Sequence, residues 1–342
     1  MTPLPSSKQP FSSALEQRAG ALRDEVFGPE VFVRGVIEVS NFCRQNCDYC
    51  GMRRDNRGLK RFRLELDALR ELVRSGLPEV ITDLNLQAGE DTVAVREIVL
   101  PLIETIREET NLGISVCLGT LDHKLYDELR DAGASYYILK VETGNRDHYR
   151  EVHAPGTFDQ RLAAIRYLAE TGWSVSSGFI AGLPGQTHAH IEETLELLGN
   201  LPLAGASVSP FIAGEQTPFA GKPSADFETT MECIARLRLR NPTYVIPAVS
   251  ALNLVSEGGY VRALRAGANL ATINLTPPSN RGDYLLYKRD RFIMREQSVT
   301  TAIEQAGCTI STISLTEMLR QRKAQAAPTH APEAQTVGAL RS

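Results

Sequence analysis

Val31-Phe32-Val33-Arg34-Gly35-Val36-Ile37-Glu38-Val39 runs through Ser40-Asn41-Phe42 into Cys43-Arg44-Gln45-Asn46-Cys47-Asp48-Tyr49-Cys50, joining a β-branched strand to cysteines spaced Cys-x3-Cys-x2-Cys. A short run rich in Val and Ile favours a strand. Three thiolates at this spacing suit three irons of a [4Fe–4S] cluster, because soft sulfur ligands match that chemistry. One iron is then left without a protein ligand. A structural zinc site wants four Cys or His ligands, most often as two separated pairs, and the nearest histidine is His123. A disulfide with an odd thiol would need an oxidising compartment, which nothing else in the chain suggests.

Outward from Val31–Val39 the pattern alternates between β-branched runs and amphipathic stretches. Further strands are predicted at Glu79–Leu86, Gly113–Leu118, Ser135–Val141, Ser174–Ile180, Gly205–Pro210, Tyr244–Val249 and Asn269–Asn274. Between them Ala68–Ser75, Leu121–Ala132, Phe158–Thr171, His190–Leu198 and Phe227–Arg238 place apolar residues at three- and four-residue spacing. Gly133, Gly172 and Gly267 end such stretches, a helix C-terminus signature. Strands separated by helices pair in parallel, and eight such units is the number that closes a (β/α)8 TIM-type barrel. An open doubly wound sheet is the competing arrangement. The barrel puts functional residues at the C-terminal ends of strands, where the cysteine loop also falls.

The 342 residues are 42% hydrophobic, enough for one large core. A net charge of −4 gives no electrostatic case for nucleic acid or an anionic membrane. No apolar run reaches a membrane span, and the first ten residues lack the apolar core of a signal peptide. Six cysteines with three clustered point to a reducing, cytoplasmic setting. Residues 1–12 are expected to be a flexible N-terminus, 13–322 the barrel domain, and 323–342 a disordered Ala/Pro-rich tail. Arg53 to Arg63 holds six basic residues in eleven, either a solvated face or a docking surface for an acidic reductant or carrier.

The cysteine spacing, with Tyr49 beside the last thiol, resembles the radical S-adenosylmethionine (SAM) superfamily. In that family, the resemblance implies, SAM chelates the fourth iron through its amino and carboxylate groups. Reductive cleavage then gives a 5′-deoxyadenosyl radical. The same resemblance places Tyr49 near the adenine. Ala88-Gly89-Glu90 stands where the family often has Gly-Gly-Glu to receive the SAM ammonium. Glu142 would hold a ribose diol or an ammonium, and Arg161 the SAM carboxylate in a bidentate fork. Gly178-Phe179-Ile180-Ala181-Gly182 is similar to the family's Gly-x-Ile-x-Gly strand, which puts Ile180 along adenine. His188 and His190, two residues apart at a helix start, cannot share a face and are not read as a metal pair.

Within the superfamily the chain resembles the branch of biotin synthase, the [FeFe]-hydrogenase maturase HydE and methylornithine synthase. The HydE-like resemblance is closest, through Leu-Gln-Ala-Gly-Glu-Asp, Gly-Leu-Pro-Gly-Gln-Thr and Gly-Ala-Asn…Asn-Leu-Thr-Pro. It departs from HydE-like chains at Lys140-Val141-Glu142-Thr143, where they carry Arg-His-Glu-Thr. A second departure is Thr272-Ile273-Asn274-Leu275, where they carry Met-Pro-Asn-Trp, and the C-terminal cysteine cluster of some HydE proteins is absent. A remodelled substrate pocket is expected there. Cys117 matches one ligand position of the second cluster in biotin synthase, whereas Ser176 and the Asn85 neighbourhood stand where two more would be. Cys117 is thus a candidate second-site residue, and a second iron–sulfur cluster is left open. Cys233 and Cys308 read as buried thiols. The expected reaction is HydE-type maturation. Its rivals are sulfur insertion as in biotin or lipoyl assembly, a methylornithine-type mutase, and a non-catalytic iron–sulfur carrier. Expected partners are SAM, a substrate in the barrel, a ferredoxin or flavodoxin electron donor, and an acyl- or lipoyl-carrier protein.

Overall fold

A computed structural model describes residues 13–326. Seven parallel strands form one continuous sheet in the order β6-β5-β4-β3-β2-β1-β7. They are β1 (Glu30–Ser40), β2 (Asp83–Ala88), β3 (Gly113–Cys117), β4 (Tyr136–Ile138), β5 (Ser174–Ala181), β6 (Gly205–Pro210) and β7 (Leu270–Asn274). The predicted eighth member, Tyr244–Val249, is reduced to two parallel bridges, Gly205 to Val245 and Pro247 to Leu270. These bridges join β6 to β7, so the ring closes. Pro247 has no N–H to give a ladder, which explains why the seam is a pair of bridges and not a regular strand. The (β/α)8 barrel expected from the eight-unit count is therefore present, with one thin seam.

Other boundaries move for local reasons. The second strand begins at Asp83 rather than Glu79, because Ile81 N–H closes a turn on the Pro78 carbonyl. The fourth is regular only over Tyr136–Ile138. Beyond it Val141 and Glu142 both donate to the Gly178 carbonyl, and Glu142 turns to φ 64°. A further pair, β8 (Thr309–Ile310), lies off the ring on Glu30 and Val31 of β1. Residues 1–12 of the expected N-terminus lie outside the described residues. Of the expected tail, 323–326 belong to the helix Leu315–Ala326, and the rest also lies outside them.

That last helix plugs the N-terminal end of the barrel. Leu315, Met318 and Leu319 pack against Phe32, Tyr136, Val245 and Leu270, which start or precede their strands. Asp83, at the start of β2, fixes it by accepting from Leu315 N (2.7 Å), Thr316 N (3.1 Å) and the Ser314 hydroxyl (3.0 Å). With that end filled, the other is left for ligands.

Candidate active site: a cavity at the C-terminal strand ends

A cavity of about 400 Å³ opens inside the barrel at the C-terminal strand ends. The volume falls within the range of small-molecule sites, about 300–1,000 Å³. Cys43, Cys47 and Cys50 line one wall, with Tyr49, Ala88, Glu90, Glu142, Arg161 and Ile180. All nine expected metal and cofactor residues thus share one chamber. Cys117, Lys140 and Thr272 also line it, whereas Ser176 and Asn85 are buried away from it.

The cysteine loop is built by its own polar residues. Asn41 accepts from Phe62 N (2.8 Å) and donates to the carbonyls of Lys60 (2.8 Å) and Asp283 (2.7 Å). The Arg61 guanidinium donates to the Asn41, Met52, Arg53 and Asn56 carbonyls, stapling the loop from within. Arg63 forks onto Asp91 (2.8 and 2.9 Å), Arg53 pairs with Asp48 (3.2 Å) and Arg54 with Asp55 (3.1 Å). Arg53, Arg61 and Arg63, three of the six basic residues, are therefore committed to local structure. Arg54, Arg57 and Lys60 remain exposed, Arg54 in a surface pair with Asp55, which shrinks the expected docking surface.

Burial pushes all three thiols up. Cys50 reaches about 12, and Cys47 is raised well above the usual range by burial and by the neighbouring Cys50 and Cys43. Thiols this close oppose one another's ionisation, Cys47 buried and Cys43 and Cys50 partly so, and a soft metal is the natural cation to hold them as thiolates. Among the described residues no three Cys, His, Asp or Glu converge on a point as a single ion requires. In a cluster each thiolate goes to a different iron, so such convergence is not needed. The donor set fits an iron–sulfur cluster.

Gly89 lies against the Phe42 carbonyl and the Cys43 Cβ, and any side chain there would collide with them. The close approach lets Glu90 N–H donate to Cys43 Sγ (3.4 Å). Glu90 and Arg161 were expected as separate hands for the two ends of an amino acid. They instead meet each other, Arg161 Nη2 to Oε1 at 3.4 Å. Thr120 N (3.0 Å) adds to Oε1, and Arg44 (3.1 Å) and Gln45 (2.5 Å) donate to Oε2. The capping box of Thr157 and Gln160 starts the helix Phe158–Glu170 and so places Arg161 in its first turn. Burial works against the Arg161 charge, but Tyr149 and Glu90 outweigh it and its pKa rises. Its Nε and the Tyr49 hydroxyl are buried with no protein partner.

Glu142 enters the cavity from its left-handed turn, with Lys140 Nζ 3.3 Å from its Oε2. Burial opposes the Lys140 charge, and Glu142 and Cys117 more than restore it. His190 serves in the capping box of the helix His188–Asn200 and stacks on buried His148.

Away from the thiols stands a set that the sequence reading missed. Arg34 Nε reaches Thr272 Oγ1 (3.2 Å), and Glu38 accepts from Arg291 Nη2 (2.5 Å). The signal was present in β1, where Arg34, Val36 and Glu38 alternate inward through an otherwise apolar strand. Arg291 carries no such signal. It comes from the irregular stretch 282–294, which covers the cavity and ties to the cysteine loop through Gly51 N to the Leu286 carbonyl (3.2 Å).

The Radical SAM superfamily profile matches residues 37–198. The chain is 34% identical over 277 residues to the [FeFe] hydrogenase maturase subunit HydE of Thermotoga maritima, 81% of this chain and 79% of that protein. It is 28% identical over 278 residues to 3-methylornithine synthase of Methanosarcina barkeri, covering 81% and 78% of the two. Superposition on the crystal structure of methylornithine synthase (PylB) gives a TM-score of 0.78 at 25% identity, over 91% of this chain and 93% of that one. A barrel whose thiol-lined cavity sits at the C-terminal strand ends, with relatives along most of its length, makes this chain a member of the radical SAM superfamily: an enzyme that uses a [4Fe–4S] cluster and SAM.

Proposed function

We propose that the chain carries out a HydE-type cofactor-maturation step, with Cys43, Cys47 and Cys50 holding the cluster. The carrying observation is that all nine expected binding residues line one closed-ended chamber. When bound, the cluster supplies the electron that splits SAM to a 5′-deoxyadenosyl radical. The chain's own residues do the rest. Tyr49 and Ile180 flank the adenine, and Ala88 offers backbone acceptors. Glu90 and the Arg161 Nε edge receive the amino-acid end, and Glu142 the ribose or an ammonium. The plug of Leu315, Met318 and Leu319 closes the far end, which shields a carbon radical from water.

HydE-type maturation is supported by 34% identity over most of the chain. Lys140 and Thr272, both in the cavity wall, mark where the substrate would differ from that of HydE-like chains. Only Cys117 of the three biotin-type second-cluster positions reaches the cavity, which weighs against sulfur insertion. The reading includes a ferredoxin or flavodoxin donor and a cytoplasmic setting. An acyl- or lipoyl-carrier partner loses support because half of the basic run, Arg53, Arg61 and Arg63, is committed internally. Among the described residues no helix is long and apolar enough to cross a membrane.

The first test is anaerobic reconstitution followed by SAM and dithionite. 5′-Deoxyadenosine is expected from the wild type and none from Cys43→Ala, Cys47→Ala or Cys50→Ala. The maturation step is tested by adding the protein to a cell-free hydrogenase-activation mixture lacking its HydE component. Failure to restore hydrogenase activity while 5′-deoxyadenosine still forms would reject maturation and keep the radical chemistry.

A further inference from the structure

The cavity has one wall that the sheet does not supply. Residues 282–294 cross its mouth without regular structure, and Leu286, Tyr287, Arg291, Phe292 and Met294 line it. Both ends of the stretch are pinned. Tyr284 and Leu285 are buried, the Leu286 carbonyl accepts from Gly51 N (3.2 Å), and that of Tyr287 accepts from Glu215 N (2.6 Å). At the other end the Met294 carbonyl accepts from Asn274 N (2.9 Å), the last residue of β7. Between these pins the chain is held differently. Among the described residues no backbone group from Lys288 to Ile293 bonds to another backbone group. The hydrogen bonds there come from two arginines. Arg289 gives its N–H to Glu215 (3.3 Å) and its guanidinium to Asp283 (2.8 Å). Arg291 Nη2 reaches Glu38 (2.5 Å) and the Arg281 carbonyl (3.4 Å).

The Glu38–Arg291 pair is the buried one, its side chains 2% and 6% exposed. A buried ion pair adds little net stability, since desolvating both charges offsets most of their attraction. This one is weakened further, because Arg291 Nε is buried with no partner. Swinging the stretch outward returns the guanidinium to water and opens Glu38 to it, so both charges recover their hydration. The strands beneath cannot give way so readily, because each is held by a ladder of backbone hydrogen bonds. Beside the pair, Phe292 lines the cavity yet stays 40% exposed, so this stretch does not pack onto the barrel as core. We propose that residues 288–293 are a gate strap. Release of Arg291 from Glu38 opens the chamber to substrate, and its return closes the chamber over bound ligands. The assignment rests on reading the cavity as a radical enzyme's chamber, which substrate must enter and from which water must then be kept.

The experiment follows access to Cys117, which lines the chamber and is partly exposed, while Cys233 and Cys308 are buried. Cluster-loaded protein, its three ligand thiols occupied, is treated with neutral iodoacetamide, and Cys117 alkylation is read by peptide mass. Opening of the strap is read in parallel by trypsin cleavage after Lys288 and Arg289. Glu38→Gln and Arg291→Met are expected to raise both rates at least fivefold over the wild type, and Arg291→Lys, which keeps the charge, by less. If Arg291→Met loses its cluster or its cooperative melt, Glu38→Gln and Arg291→Lys decide. Unchanged alkylation in the folded variants would overturn the gate, as would faster cleavage without faster alkylation, or the reverse. Neither readout involves SAM cleavage, so a gate that fails is distinguishable from a wild type that makes no 5′-deoxyadenosine.

Discussion

Glu90 shows how much one side chain can organise. Its carboxylate takes donors from Arg44, Gln45, Thr120 and Arg161, so it ties the cysteine loop, the end of β3 and the helix Phe158–Glu170 together. Glu90→Gln keeps the shape and removes the charge that balances buried Arg161. Hydrogen bonds to charged groups are worth about 1.5–3 kcal/mol. SAM affinity is accordingly expected to fall about tenfold or more, measured by equilibrium dialysis on cluster-loaded protein. An unchanged Kd would mean that Glu90 only supports the loop. His148 offers a test on pH. Burial lowers its pKa, against the raising effect of the Pro184 carbonyl at Nε2, and the neutral ring also pairs with Thr143 at 3.0 Å. Because the folded value lies below the ordinary one of about 6.5, the unfolded chain binds the proton more readily. The stabilisation is then complete above about pH 6.5 and is lost as pH falls toward the folded value. Urea melts of the wild type between pH 7.5 and 5.5 should show a steeper loss than those of His148→Asn.

At the scale of elements, the two ends of the barrel divide the work. Asp83 starts β2 and at the same time caps the helix Leu315–Ala326, so one residue joins wall to plug. Asp83→Ala removes several cap bonds and is expected to cost about 1–3 kcal/mol of stability. The change lies at the opposite end from the thiols, so 5′-deoxyadenosine formation at low temperature should stay near that of the wild type. A loss of activity without a loss of stability would show the two ends to be coupled. The elements were also unequally legible. Val31–Val39 was readable because its largely apolar run matches the burial that a parallel strand meets on both faces. The 244–249 seam was predicted as an ordinary strand, although Pro247 within the run is itself the local signal of a weakened ladder. β8 was missed because two residues give no period to read.

For the whole molecule, the thiol-lined wall of the cavity was legible and the Glu38–Arg291 wall was not, for one reason. Cys43, Cys47, Cys50, Tyr49 and Glu90 come in short runs at strand ends, where spacing carries the chemistry. Glu38 and Arg291 lie 253 positions apart and meet only because the barrel closes. That closure bears on ligand binding. The residues proposed to hold SAM come from the β1 loop, the end of β2, the turn after β4, the helix Phe158–Glu170 and β5, so one ligand cross-links half of the ring. Binding to the folded state alone at a hundred times Kd adds about 2.7 kcal/mol of stability. For a chain of this size that corresponds to a rise in Tm of about 3–8 °C. The rise should be seen by calorimetry in the cluster-loaded wild type, shrink in Arg161→Met and Glu142→Gln, and vanish in the apoprotein if SAM needs the open iron. An equal rise with and without the cluster would place SAM on the protein walls alone and remove the fourth iron from its binding.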